Sequence, residues 1–315
     1  MKADYMIFIV GTNPLPNLIA ADKFLDDHSQ VFLIYTEGSD NIVGTNRIKD
    51  HIAKTLKKRR PNLTIQSFAT DKSNPIEIKH TIDKIMLEIK KQGQSFKEKT
   101  IALNYTGGTK TMAALSYHQN KKYMKEIFKN DEFYFLFSYV DGEIGKILYE
   151  FKQQYHADEI NKMVDKYDRV LEDIVEIHGY ELIHAEELET AQEYAQFQNV
   201  TVRNVEQPEM VIHFDEVYVH GYQLTCLRKD LQPASKNMLK FKIFQAKDHS
   251  EKIGGEQVRL FYICNYQDKN GNLMRTEPIE NELSESQRIN LKDRIRIMNS
   301  ADVNQQEIEK LVKGL

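Results

Sequence analysis

The first half of the chain alternates continuous apolar runs with amphipathic segments. Such runs are typical of strands buried on both faces, as in parallel sheets. Helices are predicted between them, because residues 46–60 and 75–92 repeat apolar side chains at helical spacing. The predicted strands are residues 5–10, 31–36, 63–70, 100–106 and 133–141, with a further helix from about residue 110. This alternation predicts a doubly wound, mostly parallel, Rossmann-like α/β domain.

The pattern changes near residue 150. Residues 151–166 are polar and lose the alternation, which predicts a linker between a first domain at 1–150 and a second at 167–315. The second domain begins with a predicted helix at 169–183. Strands are predicted within 199–205, 210–229 and 258–266, and a helix at 239–253 that is followed by two glycines. This order predicts a smaller α/β unit.

Three polar loops follow predicted strands of the first domain, at residues 11–17, 36–40 and 104–110. The carboxyl ends of parallel strands lie at one edge of a sheet, and ligands of open α/β sheets bind there. We therefore expect these three loops to converge on one binding site.

The loop NYTGGTK at residues 104–110 carries the clearest chemical signal. Gly107 and Gly108 allow successive backbone N–H groups to point in one direction and form an anion-binding nest, and the following helix adds its positive end. Neighbouring threonines supply hydroxyl groups, and Lys110 supplies a cation. The pattern favours a phosphodiester or a nucleotide, although it matches neither GxxxxGK[ST] nor GxGxxG. An ordinary Gly-Gly turn before a helix is the alternative.

Composition narrows the choice of partners. The net charge of −4 shows no overall basic bias, so a nucleic-acid partner would have to be met by a local patch. The two cysteines exclude a disulfide framework, and no Cys/His cluster suggests zinc. The N-terminal apolar run is too short for a signal peptide or a membrane span. We therefore expect a cytoplasmic protein with no membrane partner.

The motif LNYTGGTKTMA, with GTNPLPNL after the first strand, resembles the CARF domain, the sensor domain of ancillary effectors in type III CRISPR defence. The resemblance covers residues 1 to about 150. It implies a homodimer that binds a cyclic oligoadenylate, of four or six adenylates, across its twofold axis. The ligand-binding residues implied by position are Gly11, Thr12, Asn13, Pro14, Thr36, Asn104, Thr106, Gly107, Gly108, Thr109 and Lys110.

Some sensors of this family also cut their ligand slowly. A ring 2′-hydroxyl held in line with the next phosphate, with Lys110 and the threonines stabilising charge, is sufficient for such a reaction. The protein is therefore also a candidate ring nuclease, or a sink for the signal.

Residues 167 to about 265 resemble the PD-(D/E)xK nuclease-like domain, a restriction-endonuclease-like fold found in some CARF effectors. The resemblance rests on Glu172 in VLEDIV, Asp215 in HFDEVYVHGYQL, and a helix followed by Gly-Gly. In that family carboxylates hold one or two divalent ions that activate water, and a lysine orients the nucleophile. Mg²⁺ or Mn²⁺ is the implied cofactor if the domain is active.

The nuclease pattern departs from the family at the E-x-K positions, which hold Arg228, Lys229 and Asp230. Alternate residues of a strand share a face, so Arg228 and Asp230 are expected to point into the site together. In one interpretation Arg228 pairs with Glu172 and Asp215, and metal catalysis is lost. In the other, Glu172, Asp215 and Asp230 hold a metal while Arg228 or Lys229 takes the role of the lysine.

These patterns together predict a sensor of cyclic oligoadenylate with a nuclease-like effector domain whose metal site is degenerate. A ligand-activated, metal-dependent nuclease with a rearranged site is the first alternative, and a ligand sink or ring nuclease is the second. If the second domain is not an enzyme, it is expected to bind RNA, DNA or a protein when the signal arrives.

Overall fold

The structure is a computed structural model. It describes residues 1–38, 44–91, 99–126, 133–142, 145–164, 167–188, 193–255, 257–268 and 294–313, with a few single residues and a short stretch between 270 and 281. The chain divides into two compact units, Met1–Met163 and Val164–Leu315, and each is described by itself.

The apolar runs of the first unit form parallel strands at the centre of a seven-stranded sheet with the order β3-β2-β1-β4-β5-β6-β7. Every residue of β1 is buried, as a strand covered on both faces requires. The parallel strands are β1 (Tyr5–Ile9), β2 (Gln30–Tyr35), β3 (Thr64–Ala69), β4 (Lys99–Asn104) and β5 (Phe133–Asp141). The predicted α/β class with a mostly parallel sheet is confirmed.

Four helices connect these strands: α1 (Leu15–Phe24), α2 (Asn46–Arg59), α3 (Pro75–Lys91) and α4 (Lys110–Glu126). Helix α1 packs with α2, and α3 packs with α4. The strand order reverses between β1 and β4, which are direct neighbours. At such a reversal the helices that follow the two strands lie on opposite faces of the sheet, and ligands of open α/β sheets bind at this point.

The prediction of a linker at 151–166 is wrong for most of its length. An antiparallel hairpin, β6 (Lys146–Phe151) and β7 (Gln154–Glu159), extends the sheet, and a 3₁₀ turn at Ile160–Met163 follows. Strand β7 is polar because it is the last strand of the sheet and most of its side chains are exposed. The hairpin turns at Lys152 and Gln153, whose φ angles of 49° and 63° suit a two-residue turn.

The second unit contains a six-stranded sheet with the order β13-β12-β11-β10-β9-β8, antiparallel from β8 to β11 and parallel from β11 to β13. Helices α5 and α6 pack together, and α7 packs on β10, β11 and β12. The elements are α5 (Tyr167–Ile177), β8 (Tyr180–Glu187), β9 (Ala195–Asn204), β10 (Val211–His220), β11 (Gln223–Ala234), α6 (Lys236–Gly254), β12 (Arg259–Tyr266), β13 (Ile295–Asn299) and α7 (Gln305–Lys313).

The predicted helix at 169–183 is too long. Helix α5 ends at Ile177, Gly179 adopts a φ of +84°, and strand β8 begins at Tyr180. Apolar residues continue through this stretch, so periodicity alone did not reveal the boundary. Helix α6 begins at Lys236, earlier than predicted, because the Ser235 hydroxyl accepts a hydrogen bond from the Met238 N–H and caps it. None of the helices in the described ranges is long and apolar enough to cross a lipid bilayer.

Candidate functional site

The loops after β1 and β4 touch through glycine backbones. A Cβ atom at Gly107 would lie 2.0 Å from the carbonyl oxygen of Ile9 and 2.8 Å from the backbone nitrogen of Gly11. A Cβ atom at Gly11 would lie 2.8 Å from the nitrogen of Gly108. Gly108 has a φ of +72°, in the left-handed region. Only glycine fits these contacts, so Gly11, Gly107 and Gly108 bring the two predicted motifs together.

Asn104 ties the same loops together from the carboxyl end of β4. Its side chain is fully buried and donates to the carbonyl of Pro16 at 3.2 Å and to the side-chain oxygen of Asn17 at 3.1 Å. The Thr106 hydroxyl donates to Asn104 Oδ1 at 2.7 Å and accepts from the Val140 N–H at 2.7 Å. Thr106 is therefore engaged inside the protein, and its hydroxyl proton is not directed at a ligand.

Helix α4 begins at the glycine loop and is capped by it. The Thr109 hydroxyl accepts from the Met112 N–H at 3.2 Å, and the Thr109 carbonyl accepts from the Ala113 N–H at 3.0 Å. Lys110 is exposed in the first turn of the helix. The positive end of the helix and the lysine charge therefore face the same space as the glycine loop.

A cavity of about 480 Å³ opens beside this loop. Its lining joins the segment from Tyr105 to Lys110 with Ala113, Ala114, Tyr117 and Tyr139. The ring of Tyr105 lies 5.5 Å from that of Tyr117 and 5.8 Å from that of Tyr139, measured between centroids. Burial raises the pKa of the Tyr105 and Tyr117 hydroxyls, so both are neutral at pH 7. The cavity thus combines phosphate-type donors with aromatic faces.

Sequence reasoning missed the three tyrosines. They come from the end of β4, from the second turn of α4 and from β5, and only strand pairing brings them together. Helix α4 contributes Ala113 and Ala114 to the lining, and their small side chains leave the space that the aromatic rings surround.

The other predicted ligand residues lie outside the lining described for this cavity. Thr12 is exposed, and the Asn13 side chain accepts from the Leu15 N–H at 3.1 Å at the start of α1. Pro14 is buried and precedes α1. Thr36 is buried, and its N–H donates to the Thr45 hydroxyl at 3.0 Å. Residues 39 and 40 of the second predicted loop are outside the described residues.

A second pocket, of about 300 Å³, lies in the other unit between the sheet and α6. We call it the α6 pocket. Its lining is His213, Phe214, Arg228, Lys229, Asp230, Lys242, Gln245, Ala246, His249 and Tyr262. Arg228 and Asp230 therefore share this space, as the alternation of side chains along β11 predicts.

The Asp230 carboxylate is already bound within the α6 pocket. The Lys242 ammonium lies 2.6 Å from its Oδ2 atom, and the Tyr262 hydroxyl donates to the same oxygen at 3.2 Å. Burial alone would raise the pKa of Asp230, but these two partners outweigh it and hold the pKa below its usual range. Asp230 is therefore ionised and already paired with the Lys242 ammonium.

The predicted carboxylate set does not assemble. Asp215 Oδ2 accepts from the Lys229 N–H at 2.7 Å, and Glu172 is exposed on α5. Neither residue lines the α6 pocket. Arg228 donates to the carbonyl oxygen of His213, not to the carboxylate of Glu172 or Asp215. Among the described residues, no three His, Cys, Asp or Glu side chains are placed to hold a metal ion. This arrangement does not fit Mg²⁺ or Mn²⁺, which need converging oxygen ligands.

A family model described as the Card1 CARF domain matches residues 5–167, which is more than half of the chain. The chain belongs to this CARF family. The matched region takes in the glycine loop, the tyrosine cavity and the β6–β7 hairpin. No curated protein sequence matches the chain.

Solved structures share the fold of the whole chain at low identity. Can2 from Sulfobacillus thermosulfidooxidans, in complex with cyclic tetra-adenylate, is 11% identical, with a TM-score of 0.65 over 99% of this chain and 96% of that one. VC1899 from Vibrio cholerae is 9% identical, with a TM-score of 0.64 over 98% and 95%. A type III CRISPR defence DNA nuclease activated by cyclic oligoadenylate is 10% identical, with a TM-score of 0.55 over 85% and 46%. In the CARF unit, the loop after β4 lines the cavity, and the loop after β1 packs against it through Gly11.

Proposed function

We propose that this CARF protein senses a cyclic oligoadenylate in type III CRISPR defence. The observation that carries the proposal is the cavity at the glycine loop, where backbone donors, Lys110 and three tyrosines surround one space. Membership of the Card1 CARF family supports it, as does the likeness in fold to Can2, whose structure contains cyclic tetra-adenylate.

The two kinds of surface in the cavity match the two parts of such a ring. Phosphates carry negative charge and are stabilised by the glycine-loop amides, the start of α4 and Lys110. Adenines are flat and stack on aromatic side chains, for which Tyr139, 38% exposed, is the most accessible of the three tyrosines described above. Thr106 and Asn104 hold the loop in shape through their internal hydrogen bonds.

Calorimetric titration with cyclic tetra-adenylate and cyclic hexa-adenylate tests this proposal. We expect one ring to bind, and linear tetra-adenylate to bind more weakly. Lys110→Ala should weaken binding about tenfold, since it removes one phosphate contact, and Tyr139→Ala should weaken it by about 1–3 kcal/mol if a base stacks there.

The matched control is Lys79→Ala, which removes the same charge from an exposed position on α3. It should leave the affinity unchanged. Absence of binding for both rings, or equal binding of the linear form, contradicts the sensor proposal.

We further propose that the second unit is the effector that the sensor controls, acting by binding and not by metal-dependent cleavage. The separation of Glu172 and Asp215 from Asp230, which alone of the three lines the α6 pocket, supports this. A metal-dependent nuclease is the alternative, favoured by the likeness in fold to a DNA nuclease. Cleavage of labelled single-stranded or supercoiled nucleic acid that needs both ring and Mg²⁺ or Mn²⁺, and is lost in Asp215→Ala, would establish the alternative.

A further inference from the structure

A largely buried ion pair joins α4 to β6 beside the cavity at the glycine loop. The Lys121 ammonium lies 2.6 Å from Glu150 Oε1, and only 21% and 13% of the two side chains are exposed. The Tyr117 hydroxyl donates to the other carboxylate oxygen, Oε2, at 3.3 Å. Glu150 therefore binds a cation with one oxygen and a residue of the cavity lining with the other. We call Lys121, Glu150 and Tyr117 the Glu150 trio.

The aromatic ring of Tyr117 is held by its neighbours as well. It meets Phe137 edge to face at 4.9 Å and Tyr105 at 5.5 Å, measured between centroids. Lys121 Nζ lies 5.4 Å from the centre of the Tyr117 ring and 4.6 Å from that of Phe137. The hydroxyl oxygen lies on the long axis of the tyrosine ring. Its hydrogen bond therefore fixes where the ring points, and the aromatic neighbours fix the rotation about that axis.

The charges in the Glu150 trio suit this contact. Burial raises the pKa of Tyr117, and Glu150 adds to this effect while Lys121 opposes it, so the phenol keeps the proton that it donates. Burial by itself would lower the pKa of Lys121, but its contacts with Glu150 and Tyr117 outweigh this and raise it. A tyrosine without such a partner can move to another staggered χ1 position, which would carry its ring away from the cavity.

The β6–β7 hairpin has a second contact of the same composition. Asp158 of β7 pairs with Lys23 of α1 and accepts from the Tyr149 hydroxyl at 3.2 Å. Tyr149 directly precedes Glu150, so its side chain points to the opposite face of the sheet. Both contacts tie a helix to the hairpin. The Glu150 trio includes a residue of the lining described for the cavity, and the Asp158 contact includes none.

We propose that Glu150 is a positioning residue for the cyclic oligoadenylate: through the Tyr117 hydroxyl it holds the Tyr117 ring as a fixed wall of the cavity. The proposal rests on the proposed sensor function, because it concerns the same cavity. Glu150 acts through Tyr117 and is not itself part of the described lining. A wall that is already fixed strengthens binding, because the side chain does not have to be ordered when the ligand arrives.

Calorimetric titration of the full chain with cyclic tetra-adenylate and cyclic hexa-adenylate tests the role of Glu150. In Glu150→Gln the single oxygen faces the Lys121 ammonium, which can only donate, so the Tyr117 hydroxyl loses its acceptor. We expect Glu150→Gln and Tyr117→Phe each to weaken binding about fivefold, the equivalent of one hydrogen bond. The double variant should bind no more weakly than either single variant, because both changes remove the same contact.

The fitted number of binding sites separates affinity from folding. A role in stability alone would lower the folded fraction, and with it the number of sites, and leave the dissociation constant unchanged. Lys121→Arg keeps the ion pair with Glu150 and should bind as the wild type does. Tyr117→Phe removes one oxygen atom and keeps the ring, so it tests the proposal even if Glu150→Gln is unstable.

The matched control is Asp158→Asn, which breaks the Lys23 pair and disturbs the Tyr149 contact on the other face of the same hairpin. It should leave the affinity for the cyclic oligoadenylate unchanged, even if it lowers the melting temperature. An equal loss of affinity in Asp158→Asn and Glu150→Gln would show that hairpin stability, not the direction of Tyr117, controls binding.

Two further results overturn the proposal. The first is wild-type affinity in Glu150→Gln or Tyr117→Phe, and the second is a loss in the double variant equal to the sum of the single losses. These results leave the sensor proposal intact, since the wild type still binds. If the wild type binds neither cyclic tetra-adenylate nor cyclic hexa-adenylate, the sensor proposal fails and the role of Glu150 fails with it.

Discussion

Gly107 is a residue whose identity is set by its backbone neighbours. The carbonyl oxygen of Ile9 and the nitrogen of Gly11 occupy the space where a side chain would begin. Both contacts are with backbone atoms, which cannot rotate away as a side chain can. The close approach of the two loops, and with it the floor of the candidate ring site, depends on this missing Cβ atom.

We predict that Gly107→Ala destabilises the CARF unit by about 2–3 kcal/mol, as overpacking of a close backbone contact does, and abolishes ring binding. Thermal unfolding followed by circular dichroism and the ring titration measure the two effects. Gly145→Asn is the control. Gly145 has a φ of +63°, which asparagine tolerates, and a Cβ there meets nothing within 4 Å. Equal effects of both changes contradict the explanation.

Glu216 is a buried carboxylate, 8% exposed, with three donors. Its oxygens accept from Lys229 Nζ at 2.6 Å, from the Tyr218 hydroxyl at 2.6 Å and from Gln196 Nε2 at 2.7 Å. Burial by itself would raise the pKa of Glu216, but these donors lower it below its ordinary value of 4.5. The carboxylate therefore stabilises the folded state at neutral pH, and that stabilisation is lost as the pH falls through the lowered pKa.

Glu216→Gln should destabilise the second unit at pH 7 by about 1–3 kcal/mol, because Lys229 loses its charged acceptor. The difference from the wild type should shrink as the pH falls from 4.5 through the lowered pKa of the folded state, where the wild-type carboxyl becomes protonated as well. Urea unfolding at pH 7 and at pH 3–4 measures this difference. Glu209→Gln at an exposed position should change little at either pH. A pH-independent difference for Glu216→Gln contradicts the argument.

At the scale of the element, the first turn of α4 is both a helix start and a wall of the candidate site. Thr109 caps the helix through its hydroxyl, and Lys110 is the first helical residue. The cap therefore determines where the amide groups and the lysine point. A loss of the cap should affect stability and ligand binding together.

Thr109→Val should cost about 1 kcal/mol of stability, because the Met112 N–H loses its acceptor, and should weaken ring binding by loosening the first turn. Thr109→Ser keeps a hydroxyl and should restore both properties. Chemical denaturation and calorimetric titration of the two variants measure this. If Thr109→Val binds the ring as tightly as wild type does, the cap is irrelevant to the site.

At the scale of the whole molecule, a cavity of about 480 Å³ in one chain is of the size that holds a drug-sized ligand, and a ring of four or six nucleotides is larger than that. A symmetric ring is matched by a symmetric dimer in which each chain contributes the same loops. For the ring to control the second unit, it must bind one arrangement of the protein more tightly than another.

We predict a homodimer with twice the chain mass of 36.9 kDa that binds one ring per two chains. Light scattering after size exclusion gives the mass, and the titration gives the stoichiometry. If the dimer exists before the ring binds, Gly107→Ala should abolish ring binding and leave the mass of the dimer unchanged. A monomer that binds one ring per chain contradicts the prediction.

The local sequence pattern was sufficient to predict the parallel strands and the glycine loop. The buried runs of β1, β2 and β4 are apolar on both faces. The Gly-Gly pair before α4 indicates a sharp backbone turn, which only small residues allow. Local pattern failed at β7, where an exposed edge strand has the polar composition of a linker. It also failed at β8, where apolar residues run on past the end of α5.

The sequence by itself determined the α/β class, the CARF motifs and the residues of the glycine loop, because these depend on neighbours along the chain. Only the tertiary structure decided which side chains share a space. Strand pairing brings Tyr105, Tyr117 and Tyr139 to one cavity, and the packing of α6 brings Lys242 to Asp230. Such contacts join residues that are far apart in sequence. A strand pattern can place Arg228 and Asp230 on one face, but it cannot show which partner each of them binds.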